Sequence, residues 1–186
     1  MDLGFRMHAE RTPNPNSIKW VLSQSVVEGL AAAQFDVRPS GDVSPLASAL
    51  FEVSGVVAVF LGPNFVTVSK QEDLEWGDLA EPIVTRIKAW VESGVAALGA
   101  AYEPPALGDT GEVVSRIVEI LEQEIRPYVQ QDGGEITFAG FQDGVVQVYL
   151  QGSCAGCPSS TITLKQGIET RLREEIPEVL SVEAIA

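Results

Sequence analysis

The amino-acid sequence predicts an α+β fold: two small two-layer α/β sandwich domains joined by a linker that contains proline and glycine. Stretches of alternating polar and apolar residues, typical of strands, are interleaved with stretches of helical spacing. One segment rich in proline and glycine interrupts both patterns near the middle of the chain. The length of 186 residues exceeds the roughly 100 to 150 residues of a typical single core and suits two small domains.

The interruption spans residues 98–110 and contains two consecutive prolines, Pro104 and Pro105. Helical and strand patterns resume on both sides of it, as expected of a linker. We therefore predict a first domain over residues 1–97 and a second domain over residues 111–186.

The first half begins with a predicted hairpin. Residues 5–10 alternate in polarity and predict a strand, with His8 on its polar, solvated face. Residues 12–17 have the composition of a turn, and the alternation over residues 18–22 predicts the second strand. Residues 24–43 give no clear pattern.

A short helix, a second hairpin and a longer helix are predicted to complete the first half. Ser44 and Pro45 supply an N-cap and a first-turn proline for the short helix. Two strand-like runs flank the turn sequence at residues 62–64 and predict the hairpin. Asp78 and Glu81 have the spacing of a capping box, so we predict that the longer helix begins at Asp78.

The second half is predicted to begin with a helix. Asp109 and Glu112 again have capping-box spacing, and apolar residues follow at helical intervals. Pro127 and the glycine pair Gly133–Gly134 are predicted to end this helix, because proline disrupts a helix interior and glycine is common just after a helix end. The Asp-Gly-Gly sequence at residues 132–134 could border the cysteine loop discussed below, but it is most simply a C-terminal cap that leads into a strand.

Two strands, a helix and a closing strand are predicted to follow. Strands over residues 136–141 and 145–150 flank the tight-turn sequence Asp143–Gly144. Helical spacing begins at Pro158, and residues 179–185 have the apolar content of a last strand. Helices on one face of a small sheet would bury the apolar stripes of both predicted helices.

Charge and hydropathy exclude several classes of partner. The chain carries 26 acidic and 12 basic side chains, a net charge of -14 at pH 7, which repels nucleic-acid phosphates and anionic lipid surfaces. The longest apolar run, residues 56–61, is far shorter than the roughly 18 residues that suggest a membrane span. We therefore expect neither nucleic acid nor membrane as a partner. The first residues show no targeting pattern, which predicts a cytoplasmic protein.

The two cysteines of the chain, Cys154 and Cys157, lie between a predicted strand and a predicted helix. Backbone amides and the helix dipole at this position favour anionic thiolates. The spacing lets both sulfur atoms point to a common centre, and Gly152, Ala155 and Gly156 leave little side-chain bulk around it.

The residues alone leave four interpretations of this pair open. It could be a packing feature or a disulfide, although intracellular proteins rarely keep such a pair for packing. It could be the dithiol of a thioredoxin-like oxidoreductase, although no βαβ unit precedes it. Zinc prefers four ligands and would need a second chain, because the one histidine is remote in sequence. A two-fold dimer would bring two pairs together and supply the four thiolates of an iron-sulfur cluster.

Several motifs, spread over nearly the whole chain, resemble those of one family. They are residues 125–134, 152–160 and 163–165 in the second half, and residues 12–17, 62–68 and the approach to the last helix around Trp76 in the first. With these segments the second half closely resembles the C-terminal domain of NifU-type scaffold proteins, and the first half resembles the Nfu N-terminal domain.

The resemblance implies a scaffold or carrier that holds a 4Fe-4S cluster between two subunits and passes it to apo-proteins. Cys154 and Cys157 would be its cofactor-binding residues and metal ligands, and the loaded form would be a homodimer. Apo iron-sulfur proteins would be the recipients, upstream cluster-assembly proteins the donors, and the N-terminal domain would recognise partners. No residue is predicted to be catalytic, and the protein is not predicted to be an enzyme. The alternative function is a thioredoxin-like dithiol/disulfide oxidoreductase that uses the same two cysteines.

Overall fold

The computed structural model divides the chain into two compact units, Met1–Pro104 and Pro105–Ala186. Each unit combines helices with a β-sheet, which confirms the predicted α+β fold class. The residues that the structure describes are 5–28, 32–103, 111–154 and 158–185, without the side chains of 158–160.

The first unit is a five-stranded antiparallel sheet accompanied by two helices. Its elements are β1 (Met7–Arg11), β2 (Ser17–Leu22), β3 (Ala33–Phe35), α1 (Pro45–Leu50), β4 (Val56–Leu61), β5 (Phe65–Lys70) and α2 (Trp76–Ser93). The strand order is β1-β2-β5-β4-β3, so the hairpins β1-β2 and β4-β5 are both confirmed. The apolar faces of both helices, including Leu46, Leu50, Ile83 and Ile87, are fully buried in the core of this unit.

The start of α1 agrees with the sequence prediction, and the start of α2 does not. The Ser44 hydroxyl caps α1 by accepting from the Ala47 N–H at 3.1 Å, and it also donates to the Ala97 carbonyl at 2.7 Å. Helix α2 begins at Trp76, so the predicted capping box at Asp78 is wrong. The Trp76 indole donates to the Pro15 carbonyl at 3.0 Å, and this tertiary contact holds the first turn before Asp78.

The strand β3 lies within residues 24–43, which show no clear pattern of polarity. It has three residues and pairs only with β4 at the edge of the sheet. Three residues are too few to display a period of two, which explains why alternation did not reveal this strand.

The second unit packs a long, interrupted helix and α5 against a three-stranded sheet. Its elements are α3 (Glu112–Ile120), a π-helical turn (Leu121–Ile125), α4 (Arg126–Gln131), β6 (Gly134–Gln142), β7 (Val145–Gly152), α5 (Pro158–Glu175) and β8 (Ser181–Ile185). The strand order is β6-β7-β8; β6 and β7 form an antiparallel hairpin, and α5 connects β7 to the parallel strand β8. The predicted turn is confirmed, because Asp143 and Gly144 have φ angles of 52° and 81°.

Two predictions about the first helix of this unit are wrong. Helix α3 begins at Glu112 after an N-cap at Gly111, and Asp109, the predicted cap, lies outside the described residues. Pro127 does not end the helix, which continues to Gln131; the other predicted end, Gly133–Gly134, follows the C-cap Asp132 directly. The wider π-helical turn over Leu121–Ile125 precedes the proline and relieves the clash that a regular α-helix would impose on its ring.

A buried ion pair ties α4 to the first residues of β6. The Arg126 guanidinium binds the Glu135 carboxylate through two hydrogen bonds, Nε to Oε1 at 2.8 Å and Nη2 to Oε2 at 3.0 Å. Gln130 and the backbone N–H of Ile136 donate to the same carboxylate, and Glu135 is 0% exposed. Burial lowers the pKa of Arg126, but hydrogen bonds and charge from Glu135 and Glu122 outweigh it and raise the pKa above its ordinary value.

We expect Glu135→Leu to lower the free energy of unfolding of the second unit by about 3–5 kcal/mol, because it leaves the Arg126 charge in the interior without its main partner. Replacing both residues, Arg126→Met with Glu135→Leu, should recover a large part of that loss. Urea unfolding followed by far-UV circular dichroism measures both effects.

The chain supplies an internal control for this experiment, because all three tryptophans lie in the first unit. Their fluorescence midpoint should stay unchanged in every variant. Losses that simply add in the double variant would contradict the coupling between the two side chains.

Candidate functional site

Cys154 lies immediately after β7, at the end of the hairpin that β6 and β7 form. Gly134 and Gly152 face each other in the last pair of this ladder, and Gly152 has a φ angle of 66°, which turns the chain out of the strand. Two residues further on, the Cys154 side chain is 7% exposed and belongs to the core of the second unit. The Cys154 thiol is therefore packed against the end of the sheet.

Three hydrogen bonds fix the backbone on either side of Cys154. The Ser153 N–H donates to the Gly133 carbonyl at 3.2 Å, and the Ser153 hydroxyl donates to the carbonyl of Asp132. On the other side, the Thr161 hydroxyl of α5 donates to the carbonyl of Cys154 itself at 3.1 Å. The end of α4 and the first turns of α5 thus hold the same short segment.

The sulfur atom of Cys154 lies directly against the backbone of Gly134. A Cβ atom on Gly134 would be 2.5 Å from Cys154 Sγ, so one of the two side chains would have to shift, and 3.0 Å from the Gln151 carbonyl oxygen, a tight contact. The thiol, not the backbone angles, therefore favours glycine at this position. The adjacent Glu135 is held by Arg126, so the Gly134 backbone cannot easily move away.

Residues 132–134 are predicted from the sequence to be a helix cap that leads into a strand. Asp132 is indeed the C-cap of α4, and Gly133 follows with a φ angle of 75°. The same three residues also border Cys154, a role that the sequence analysis considered and set aside. The second glycine could have indicated this contact with Cys154. A helix cap of this kind needs only one glycine, so the cap does not explain why position 134 is also glycine.

The second predicted ligand, Cys157, lies outside the described residues, together with positions 155 and 156. Helix α5 begins at Pro158, so both cysteines precede the N-terminus of an 18-residue helix, whose dipole favours a thiolate. Within the described ranges, no three His, Cys, Asp or Glu side chains gather in a way that could hold a metal ion. His8 lies on β1 of the first unit, where it is exposed and bound to Glu10.

Two family models match the chain, one in each unit. The model described as "Scaffold protein Nfu/NifU N terminal" matches residues 7–94, and the model described as "NifU-like domain" matches residues 117–183. The two units and the cysteine site thus define a protein with a NifU-like domain.

Similar proteins cover almost the whole chain. A human protein named "NFU1 iron-sulfur cluster scaffold homolog, mitochondrial" is 43% identical over 185 residues, which cover 96% of this chain and 71% of the human protein. A protein of the same name from Drosophila virilis is 40% identical, and the match covers 96% of this chain and 61% of the fly protein. The chain belongs to the Nfu family, which confirms the family resemblance found in its motifs.

Among solved structures, a NifU-like protein from Saccharomyces cerevisiae superimposes with a TM-score of 0.48 at 18% identity. The superposition covers 54% of this chain and 91% of the yeast chain.

The predicted cytoplasmic location is wrong. It is contradicted by the human and fly relatives, whose names describe them as mitochondrial. The prediction rested on the lack of a targeting pattern in the first residues, and targeting segments are removed from mature proteins, so this lack does not define a location. No helix in the described parts of the chain combines the length and apolar character needed to cross a bilayer.

We expect Gly134→Ala to displace the Cys154 side chain, because the added methyl group would occupy the position of its sulfur atom. In a Cys157→Ser background, the reaction of Cys154 with a thiol reagent should accelerate at least several-fold. Overpacking should also cost about 1–3 kcal/mol of stability.

Gly140→Ala is the matched control, since it adds the same methyl group to the same strand. Its nearest neighbour would be the flexible end of Gln147 at 3.3 Å, which can move aside. Equal reactivity and stability in the two variants would contradict the contact between Gly134 and Cys154.

Proposed function

We propose that this protein is an iron-sulfur cluster scaffold and carrier, which holds a 4Fe-4S cluster between two copies through Cys154 and Cys157 and transfers it to apo-proteins. The observation that carries the proposal is the fixed position of Cys154 against Gly134 at the N-terminal side of α5. The names of the relatives, which call those proteins iron-sulfur cluster scaffolds, support it. In this proposal residues 111–186 form the cluster-binding domain, residues 98–110 the linker and residues 1–97 the N-terminal domain.

The number of thiolates favours a cluster shared between two copies. Iron-sulfur clusters are commonly held by four cysteine thiolates, and this chain contains two cysteines. A two-fold axis that passes beside the cysteine segment would supply the other two thiolates from an identical surface. A cluster held in this way is enclosed by less protein than one wrapped by a single chain, which suits temporary storage.

Transfer would proceed by exchange of thiolate ligands. A thiol of the recipient loses its proton and forms an iron-sulfur bond as the bond from iron to Cys154 or Cys157 breaks, and the released thiolate takes up a proton. Iron and sulfide keep their oxidation states, so no oxidant or reductant is needed. The protein would act once per cluster received, and it would therefore not be an enzyme in the turnover sense.

The two domains would have different roles, one in cluster exchange and the other in partner recognition. The cluster would arrive from upstream assembly proteins and leave to apo iron-sulfur proteins, and both exchanges would take place at the cysteine segment. The first unit contains no cysteine. We therefore assign it to the recognition of partner proteins.

We expect Cys154→Ser and Cys157→Ser each to abolish retention of the 4Fe-4S cluster, because each removes two of the four ligands from a two-fold site. The measurement is anaerobic reconstitution with iron and sulfide, followed by iron and sulfide analysis, absorption spectra and sizing. Wild-type protein should contain about two iron atoms per chain, since four would be shared by two chains.

Ser93→Ala serves as a control, since Ser93 lies on α2 in the other unit, far along the sequence from the cysteines. It should load as wild type does. Retention of the cluster by both cysteine variants would place the site elsewhere. Reduction of insulin by the unloaded protein would instead favour the dithiol oxidoreductase.

A further inference from the structure

We propose that a groove on the second unit, between the segment Leu121–Gln131 and helix α5, is the surface on which a second copy of this chain docks when the cluster is bound. This inference rests on the proposed function, and it adds the surface that brings two copies together. We call this surface the α4–α5 groove.

The α4–α5 groove is open and mainly apolar, with a volume of about 800 Å³. One wall comes from the π-helical turn and α4, and the other comes from the middle of α5, residues 163–171. The residues that the argument uses are Pro127 and Tyr128 on the first wall and Leu164, Gly167 and Ile168 on the second.

Both walls of the groove are joined directly to the cysteine segment. The first wall ends at Asp132, whose carbonyl accepts the hydroxyl of Ser153, and the second begins near Thr161, whose hydroxyl binds the carbonyl of Cys154. An α-helix rises about 1.5 Å per residue, so Leu164 lies only about 4.5 Å along α5 from Thr161, the residue that binds the carbonyl of Cys154. A second copy whose cysteines reach the same cluster must therefore approach this face.

The groove carries both a projecting side chain and a space that could receive one. The Tyr128 side chain is 70% exposed, although it is large and aromatic. Gly167 lies in the middle of α5, where glycine weakens a helix; apart from its chain neighbours and the helix's own backbone, no heavy atom lies within 4 Å of the position of a Cβ atom, so the surface there is open. A projecting aromatic ring and an open stretch of helix on one face can contact each other across a two-fold axis. We assign Tyr128 of each copy to the space beside Gly167 of the other.

The distribution of charge also favours a second copy on this face. The chain has a net charge of -14, so two copies repel each other over most of their surfaces. Residues 144–168, which include the cysteine segment and the groove wall of α5, contain no Asp or Glu and a single Lys. Glu124, at the far end of the groove, is neutralised by Arg171 through hydrogen bonds of 2.6 and 3.0 Å. This face therefore presents little charge of the sign that would repel an identical chain.

The test compares the loaded dimer of wild type with that of two groove variants. Tyr128→Ser removes the projecting ring, and Gly167→Trp covers the open stretch of helix that the ring of the other copy would contact. A two-fold interface loses each contact twice, so either variant should raise the dissociation constant of the loaded dimer roughly 30-fold or more. Anaerobic sedimentation over a concentration series, with iron and sulfide analysis of each species, measures this constant.

Each variant has a matched control. Leu180→Ser removes another large apolar side chain of the same unit, 63% exposed and outside the groove. Gly167→Ala adds little bulk at the same position in the helix and tests whether the effect comes from filling space. Both controls should dimerise as wild type does, and thermal melts of the unloaded proteins establish that all variants are folded.

A photo-crosslinking residue identifies the occupant directly. Benzoylphenylalanine in place of Tyr128 should crosslink, in the loaded protein, to residues 163–168 of a second copy. Crosslinks only to an added apo iron-sulfur protein would overturn the proposal and assign the groove to recipients.

The outcomes separate this proposal from the function on which it rests. A wild-type dimer that loads through Cys154, together with groove variants that dimerise equally well, would overturn the groove proposal and leave the scaffold function intact. A wild-type protein that holds its cluster as a monomer would overturn both.

Discussion

The contact between the Cys154 sulfur and the Gly134 backbone is the constraint on which the site depends. It joins the two ends of the β6-β7 hairpin, and it exists only because position 134 has no side chain. The Arg126–Glu135 pair makes this contact rigid, since it fixes the residue next to Gly134 to helix α4. Hydrogen bonds from Ser153 and Thr161 then place the thiol between α4 and α5. In the proposed function, a thiol held in this way would lose little conformational freedom when it bound the cluster.

Much of the fold could be predicted from the sequence, because hydrophobic periodicity and turn chemistry act locally. Both hairpins of the first unit, the Ser44 cap and the Asp143–Gly144 turn were identified in this way. The errors occur where tertiary contacts override local signals. Helix α2 begins at Trp76, whose indole binds the Pro15 carbonyl, and not at Asp78. The first helix of the second unit continues past Pro127, because a π-helical turn precedes the proline.

The site was predictable in part. Spacing and composition pointed to Cys154 and Cys157, and the motifs around them indicated the family to which the chain belongs. The contact between Gly134 and Cys154 was not predictable, because the two residues are 20 positions apart in sequence and meet only through strand pairing. The location was predicted wrongly, since it was inferred from a missing pattern and not from a physical property of the folded chain.

The central claim is that two copies of this chain share one cluster through their four cysteines. Native mass spectrometry of anaerobically loaded protein tests it most directly, because it counts chains, iron and sulfide in the same particle. The account expects a species of two chains with four iron and four sulfide atoms, and only unmetallated chains when Cys154 is serine. A particle of one chain with an intact cluster, or of two chains that bind only zinc, would contradict it.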